Sequence, residues 1–572
     1  MRPPFLRFDF PRPLCFGNPV RVINAYSLAE VRPALRDVQA VADAGCYAAG
    51  YVAYEAAPAF DRALQVNAPQ SSLPLLWFGV FSEPCEIQEQ ASGEYHVSEW
   101  EADSDFAHYE EAIAHIRDAI AAGEVYQVNH TFRLRARFRG DAGAFYQRLR
   151  GAHPPPFTAY LNLGRHQVIS ASPELFFHRE GSRITTRPMK GTRRRGRWRG
   201  EDDRVAAELV ASEKDRAENV MIVDLLRNDF GRLAQPGSVH VPRLFEIERY
   251  PTVWQMTSTV EARLRPDIAL DEIFGALFPC GSVTGAPKIS AARFIARHET
   301  TPRQVYCGAI GYLTPHGEAV FSVAIRTALL DAETGKIEYG VGGGIVWDSD
   351  AEAEYQEAWS KAAVLAETTD FELLETLRWE DRAYALLDRH LDRLMASAAY
   401  FGFAVSRDVV QGALLAHGQG LLEGPWRVRL RLPLDGTPQI ESAALVPLPP
   451  GPQPVVLAKT PISRADKFLC HKTTRRAVYE AHRAAHPGCF DVLLWNEDGE
   501  LTEFTVGNLM IEQGDRLWTP PRECGLLDGT QRAELLAQGR LQERVLRRED
   551  LESASRVWLI NSVRGCVPVI FP

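Results

Sequence analysis

The chain never holds an apolar run longer than roughly Leu75 to Phe81, where a membrane-spanning helix needs ~18 residues. Its hydrophobic residues come instead in short bursts of two periods. Strand-like runs such as CYAAGYVAYEA, LPLLWFGVF, TFRLRARF, AYLNLG, QVISASPELFFHRE and RITTRPMKG alternate with stretches that are apolar at helical spacing. The latter lie near 28–44, in FAHYEEAIAHIRDAIAA (106–122), which stops at Gly123, in DRVAAELVASEKDRAENVMIVDLLRND, and in EAEYQEAWSKAAVLAET. This interleaving predicts an α/β (α+β) protein.

The pattern restarts after about Thr368, with FELLETLRW as a strand and LLDRHLDRLMASAAYFGF as a helix. No Gly/Ser tether lies between the halves, so the junction near 366–372 is expected to be tight. A proline-rich stretch, LVPLPPGPQP (445–454), marks a further boundary or rigid connector. There is no internal repeat. The expected domains are 1–366, with 1–95 as its N-terminal part, and 371–572.

With 572 residues, 45% hydrophobic and 24% charged, the chain has the composition of a soluble globular protein, not of a disordered or disulfide-framework one. A net charge of −10 argues against a general nucleic-acid binder. The start, MRPPFLRFDFPRP, has no apolar h-region, and nine cysteines occur without a C-x-x-C pair. Reduced thiols in the cytoplasm and no structural zinc are the expectation. Only eight lysines stand against 56 arginines. A site needing positive charge alone has arginine available, whereas a nucleophilic amine needs lysine, because guanidinium stays protonated.

Four acids are spaced for joint use. Asp215 and Glu218, and Glu354 and Glu357, lie three apart on helical stretches, which puts each pair on one helix face. Facing each other they would make an all-oxygen site suited to Mg²⁺; the plainer reading is two solvated faces. The basic run RRRGRWRG after Thr192 reads as a solvated loop, or less readily as a nucleic-acid patch. Arg326, in an otherwise apolar strand-like FSVAIRT, needs a partner, for which a substrate carboxylate is suited. The glycines of GVGGGIV (340–346) read as a turn or as amides offered to an anion.

The ordered set YQVN (126–129), Ser172-Pro173-Glu174, PMKGT (188–192), AENVMIVDLLRND (217–229), GSVTGAPK (281–288), YCGAIGY (306–312), AIRT (324–327), GGGIVWDSD (342–350) and EYQEAWSKA (354–362) resembles the chorismate-utilising enzymes. The resemblance covers essentially 1–366. It implies large antiparallel sheets flanked by helices. A lysine before Gly-Thr, here Lys190, belongs to the aminodeoxychorismate branch, where anthranilate synthases carry alanine. The resemblance then implies that Lys190 attacks chorismate at C2, that Glu174 is the acid/base, and that Glu218 and Glu357 hold Mg²⁺ with Asp215 and Glu354 in support. Gly191, Thr192, Tyr306, Arg326, Gly342, Gly343 and Gly344 would bind the substrate. It further implies ammonia as co-substrate and a separate glutamine amidotransferase subunit. Many relatives carry a histidine where this chain has Gln255, which cannot carry a proton.

The second half resembles the fold-type IV pyridoxal phosphate (PLP) enzymes in LLETLR (373–378), RHLDRLMASA (389–398), HKTTRR, EFTVGNL (503–509), TPP (519–521), LLDGTQR and NSVRG (561–565). The resemblance covers roughly 371–572 and implies two subdomains meeting at PLP. It makes Lys472 the Schiff-base lysine, Glu503 the partner of the pyridine nitrogen, and Arg393 with the Gly529–Thr530 amides the phosphate site. Such enzymes are typically dimers. Following an aminodeoxychorismate synthase, the implied activity is the lyase that releases pyruvate and 4-aminobenzoate for folate. Two alternatives remain open: an anthranilate-type synthase joined to an amino-acid aminotransferase, and an RNA-binding scaffold using the arginines of 193–199.

Overall fold

A computed structural model describes residues 3–69, 72–87, 93–151, 154–250, 252–365 and 371–571. The expected tight junction at 366–372 falls almost wholly outside them. The chain divides into two compact units, 1–194 with 206–369, and 195–205 with 370–572.

The first unit is built on two ten-stranded sheets, antiparallel throughout. One runs through the long strands Gln127–Gly140 and Lys336–Ile345, then Thr327–Asp331, His166–Ser172, Phe157–Asn162 and Phe5–Asp9. The other carries Met189–Arg194, Val253–Arg263, Arg183–Arg187, Leu175–Glu180, Ala319–Val323, Ala309–Leu313, Tyr47–Val52 and Leu76–Phe81. Strands that read as one in the sequence are divided where proline removes a ladder donor. Pro173 separates His166–Ser172 from Leu175–Glu180 and sends them to different sheets, and Pro188 separates Arg183–Arg187 from Met189–Arg194. The helix Glu213–Gly231 begins at Ser212, whose hydroxyl accepts from the Asp215 amide at 3.3 Å, so the long helical stretch becomes two helices. Its inner face, Ile222, Val223, Leu226 and Phe230, is buried in one continuous core with Phe176, Phe274 and Phe321.

Arg326 is not in a strand. It sits with φ +50° in the bend between Ala319–Val323 and Thr327–Asp331, where the chain passes from one sheet to the other. A positive φ is uncommon for a residue with a side chain, and here the Arg326 side chain lines a cavity of this unit.

The second unit has a four-stranded antiparallel sheet and an eight-stranded sheet. The proline-rich stretch lies between their strands Gln439–Ala444 and Gln453–Leu457. Helix Leu387–Phe401 packs Leu391, Leu394 and Ala398 on the smaller sheet. The unit also includes Arg195–Val205, so the basic run is not wholly a solvated loop: Arg195 and Gly196 are buried, whereas Arg193, Arg194 and Arg199 remain exposed. Arg195 is 8% exposed and grips both oxygens of Asp202 at 2.7 and 2.8 Å. The Tyr400 hydroxyl donates to the Gly196 carbonyl at 2.7 Å, and the guanidiniums of Arg197 and Arg522 each stand 4.8 Å from the Trp198 ring centre. Arg193, Arg197 and Arg199 each face a carboxylate as well, on Asp215, Glu201 and Asp203. Among the described residues no helix is long and apolar enough to cross a membrane.

Candidate functional site

One cavity of about 190 Å³ in the first unit gathers every site residue expected there: Glu174, Lys190, Gly191, Thr192, Asp215, Glu218, Tyr306, Arg326, Gly342–Gly344, Glu354 and Glu357. Gln255 also lines it. Ladder strands, the crossings between the sheets and two helices contribute to its wall. Lys190 comes from Met189–Arg194, the glycines from Lys336–Ile345, and the carboxylates from Glu213–Gly231 and Ala351–Ala362.

The glycines are there for closeness. A side-chain carbon on Gly344 would stand 2.8 Å from Lys190 Nζ and 1.9 Å from Gln127 Nε2. One on Gly340 would enter the Tyr306 ring at 2.3 Å. Lys190 is held below the usual lysine range by burial, with Lys361 pushing the same way and Glu218 opposing. Glu174 is 2% exposed, its Oε1 has no hydrogen-bond partner among the described residues, and burial raises its pKa to about 7. A carboxyl in that state carries its proton near neutrality and can give it up. Among the described residues no carboxylate pairs with Arg326, whose guanidinium stands 5.9 Å from the Tyr250 ring centre. Burial lowers the Arg326 pKa, with the hydroxyls of Tyr339 and Tyr250 opposing.

The four metal candidates are partly engaged. Asp215 accepts from Arg193 at 2.6 Å, Glu357 pairs with Lys361 at 2.8 Å, and Glu354 accepts from Ser349 at 2.7 Å. Burial raises the pKa of Glu218 and of Glu354, whereas Lys361 holds Glu357 low. Among the described residues no three His, Cys, Asp or Glu side chains are gathered closely enough to hold a metal ion. The donor set still suits Mg²⁺, which takes one or two carboxylates and fills its shell with water and substrate oxygen. Glu218, with no ion pair among the described residues, and Glu357 would hold it.

Sequence reading missed Lys361 and Gln127. Lys361 donates to the Gly342 carbonyl at 2.9 Å. The Gln127 carboxamide is 1% exposed, and among the described residues neither end has a hydrogen-bond partner. Both residues stand in motifs already singled out, EYQEAWSKA and YQVN, but neither type announces chemistry by itself.

In the second unit, Lys472 follows His471, and its carbonyl accepts from the Leu374 amide at 2.9 Å. Burial lowers its pKa to about 8, Arg393 acting in the same direction. Arg393 binds both oxygens of Glu375 at 2.9 and 2.6 Å and the Asp528 carbonyl at 3.0 Å. His390 bridges Glu375 at 2.7 Å and Thr530 Oγ1 at 3.2 Å. Burial pushes Glu375 up, but Arg393 and His390 outweigh it and leave its pKa at about 2. Glu503 is 3% exposed and held by the Tyr479 hydroxyl at 2.7 Å and Asn508 Nδ2 at 3.2 Å, with burial raising its pKa to about 7. Gly529 caps the helix Thr530–Ala537 without a side chain, and a side-chain carbon there would meet Asn508 Oδ1 at 1.9 Å. An amine of lowered pKa, an enclosed acid, an arginine and a bare helix start are the parts that PLP requires. Glu375 and His390, not foreseen, link Arg393 to that helix start.

The chain belongs to the chorismate binding enzyme family, whose model matches residues 14–367. The model of the class IV amino-transferases matches 372–570. Aminodeoxychorismate synthase component 1 of Salmonella typhimurium is 43% identical over 265 residues, covering 46% of this chain and 58% of that protein. The chain thus spans under two thirds of that relative's length. Anthranilate synthase component 1 of Methanothermobacter thermautotrophicus is 35% identical over 346 residues, 56% of this chain and 74% of that protein. Among solved structures, anthranilate synthase component I from Streptococcus pneumoniae superposes with a TM-score of 0.55 at 28% identity, covering 63% of this chain and 92% of that one.

Proposed function

We propose that the first unit converts chorismate and ammonia to 4-amino-4-deoxychorismate, and that the second releases pyruvate from this product to leave 4-aminobenzoate. The observation that carries the first reaction is an amine, Lys190, of lowered pKa in the cavity that also holds Glu174, with its pKa raised to about 7, and Arg326, which has no carboxylate partner among the described residues. The likeness to a protein named aminodeoxychorismate synthase supports the same reading.

Arg326 orients one substrate carboxylate by bidentate donation. Neutral Lys190 forms a bond from Nζ to ring C2 as the double bonds shift and the C4–O bond breaks. Glu174 gives its proton to the departing hydroxyl, which leaves as water. Ammonia then bonds to C4, the C2–N bond breaks, and the amine returns. The surplus ammonium proton passes back to Glu174. Mg²⁺, when bound by Glu218 and Glu357, would neutralise the substrate's other carboxylate. A separate glutaminase subunit would supply the ammonia, in keeping with the name component 1 of the relative.

In the second unit, PLP, when bound, supplies an electron sink at the substrate's amino group. Arg393 and the amides of Gly529 and Thr530 would hold its phosphate, and Glu503 would keep a proton on its ring nitrogen. Lys472 Nζ takes the C4 proton as the C3–O bond breaks. The leaving group departs as the enolate of pyruvate and takes up one proton at its methylene carbon, the proton on Lys472 passing to solvent, and the ring becomes aromatic.

Incubating the full chain with chorismate, ammonium, Mg²⁺ and PLP tests this. The expected product is 4-aminobenzoate, with glutamine inactive as nitrogen donor unless a glutaminase is added. Anthranilate as the product would favour the other branch and overturn the reading.

A further inference from the structure

Lys190 stands on a bulge. In the pairing of Met189–Arg194 with Val253–Arg263, Met189 faces Thr257 and Thr192 faces Gln255. Lys190 and Gly191 therefore stand together opposite the single residue Met256. Gly191 takes φ +85°, a conformation that glycine adopts without strain, and its Cα faces the side chain of Asp215. A bulge of this kind re-aims a side chain next to a site.

Both ends of the Gln255 carboxamide are spent on that bulge. Nε2 donates to the Gly191 carbonyl at 2.9 Å, and Oε1 accepts from the Thr192 hydroxyl at 2.9 Å. Gln255 is 5% exposed, so water does not replace these bonds freely. An amide keeps one donor and one acceptor across the whole pH range in which Lys190 and Glu174 change charge. An imidazole does not: on protonation it loses its acceptor.

We propose that Gln255 is a positioning residue that clamps the Lys190–Gly191 bulge and so aims the Lys190 amine at ring C2. The inference rests on the reading of Lys190 as nucleophile. Gln255 itself moves no proton. Its function is selectivity, because a misaimed lysine leaves C2 open to ammonia, and ammonia at C2 gives the 2-amino product. A displacement of about 1 Å is enough to cost ~10²-fold in rate.

The test uses the full chain with saturating chorismate, ammonium and Mg²⁺, following 4-amino and 2-amino products separately. Gln255→Leu should lower kcat for the 4-amino product about 10²-fold, leave the KM for chorismate unchanged, as for an interaction made only in the transition state, and raise the 2-amino fraction. Gln255→His should recover the 4-amino product at high pH and lose it as the imidazole charges, giving a pH-dependent product ratio absent from the parent. Gln255→Glu keeps the shape and the Thr192 bond but not the donor to Gly191, and it serves if Gln255→Leu does not fold. It should show the same fall in kcat. Unchanged kcat and product ratio in the folded variants would overturn the proposal, even with a lowered Tm. Lys190→Ala in the same assay separates the two layers. If it loses the 4-amino product while the Gln255 variants do not, the clamp alone fails; if it keeps the product at the parent rate, the nucleophile reading fails and the clamp with it.

Discussion

Glu174 and Arg326 occupy paired crossings between the two sheets of the first unit. The Arg326 carbonyl accepts from the amide of Ala171 at 3.0 Å, and the Glu174 carbonyl accepts from the amide of Val323 at 3.1 Å. The Ser172 hydroxyl adds a bond to the Val323 carbonyl at 2.6 Å. One crossing carries the enclosed acid and the other the Arg326 guanidinium, so backbone bonds fix where both side chains enter the cavity.

The acid limb and the amine limb should be visible in the pH profile. Glu174, raised to about 7, must be protonated to act, so kcat falls as pH rises through about 7. Lys190 must be neutral, so the rate rises with pH through its lowered pKa. The product of the two is a bell. Glu174→Gln should cost roughly 10²–10⁴ in kcat and remove the alkaline fall. A variant that keeps the fall would assign it to another group.

Arg326→Lys tests carboxylate recognition. Lysine keeps the charge but not the two-pronged geometry. Hydrogen bonds to charged groups contribute ~1.5–3 kcal/mol, so KM for chorismate should rise roughly 10- to 100-fold. An unchanged KM would remove Arg326 from substrate binding.

The Arg195–Asp202 pair should hold Arg195–Val205 within the second unit. Both side chains are enclosed, and removing one partner of such a pair costs about 3–5 kcal/mol. Arg195→Ala should raise hydrogen exchange around Tyr400 and His471, since the Gly196 and Arg197 carbonyls that bind these side chains lose their anchor. Exchange equal to the parent's would show the segment to be held without the ion pair.

Lys472→Ala should leave chorismate consumption intact and stop 4-aminobenzoate formation, with loss of the base alone costing roughly 10²–10⁴-fold. 4-Amino-4-deoxychorismate should accumulate, and an added independent lyase should convert it. Borohydride reduction of the PLP-loaded parent should label Lys472. Undiminished 4-aminobenzoate in the variant, together with rapid transamination of a 2-oxo acid by the parent, would assign the second unit to an aminotransferase.

The strand and helix bursts were legible in the sequence because burial follows periodicity, and the motifs carried the cavity residues because they lie close in sequence to the strand and helix ends that form it. What the sequence did not disclose depends on long-range partners. The bend at Arg326 arises because its neighbours pair in different sheets. The basic run looked solvated because the aromatic ring of Tyr400 and the carbonyls of Arg464 and Glu523, which receive it, lie about 200 residues and more along the chain. The bulge at Lys190 is set by the register with Val253–Arg263, and the sequence alone shows only a glycine after a lysine.

The most direct test of the central claim is the product made from chorismate and ammonium by Lys190→Ala and Lys190→Arg. If Lys190 is the nucleophile, the alanine variant should lose 4-amino-4-deoxychorismate or divert ammonia to C2, and arginine should not rescue it, because guanidinium keeps the charge but cannot attack. An alanine variant that forms the 4-amino product at the parent rate would contradict the account.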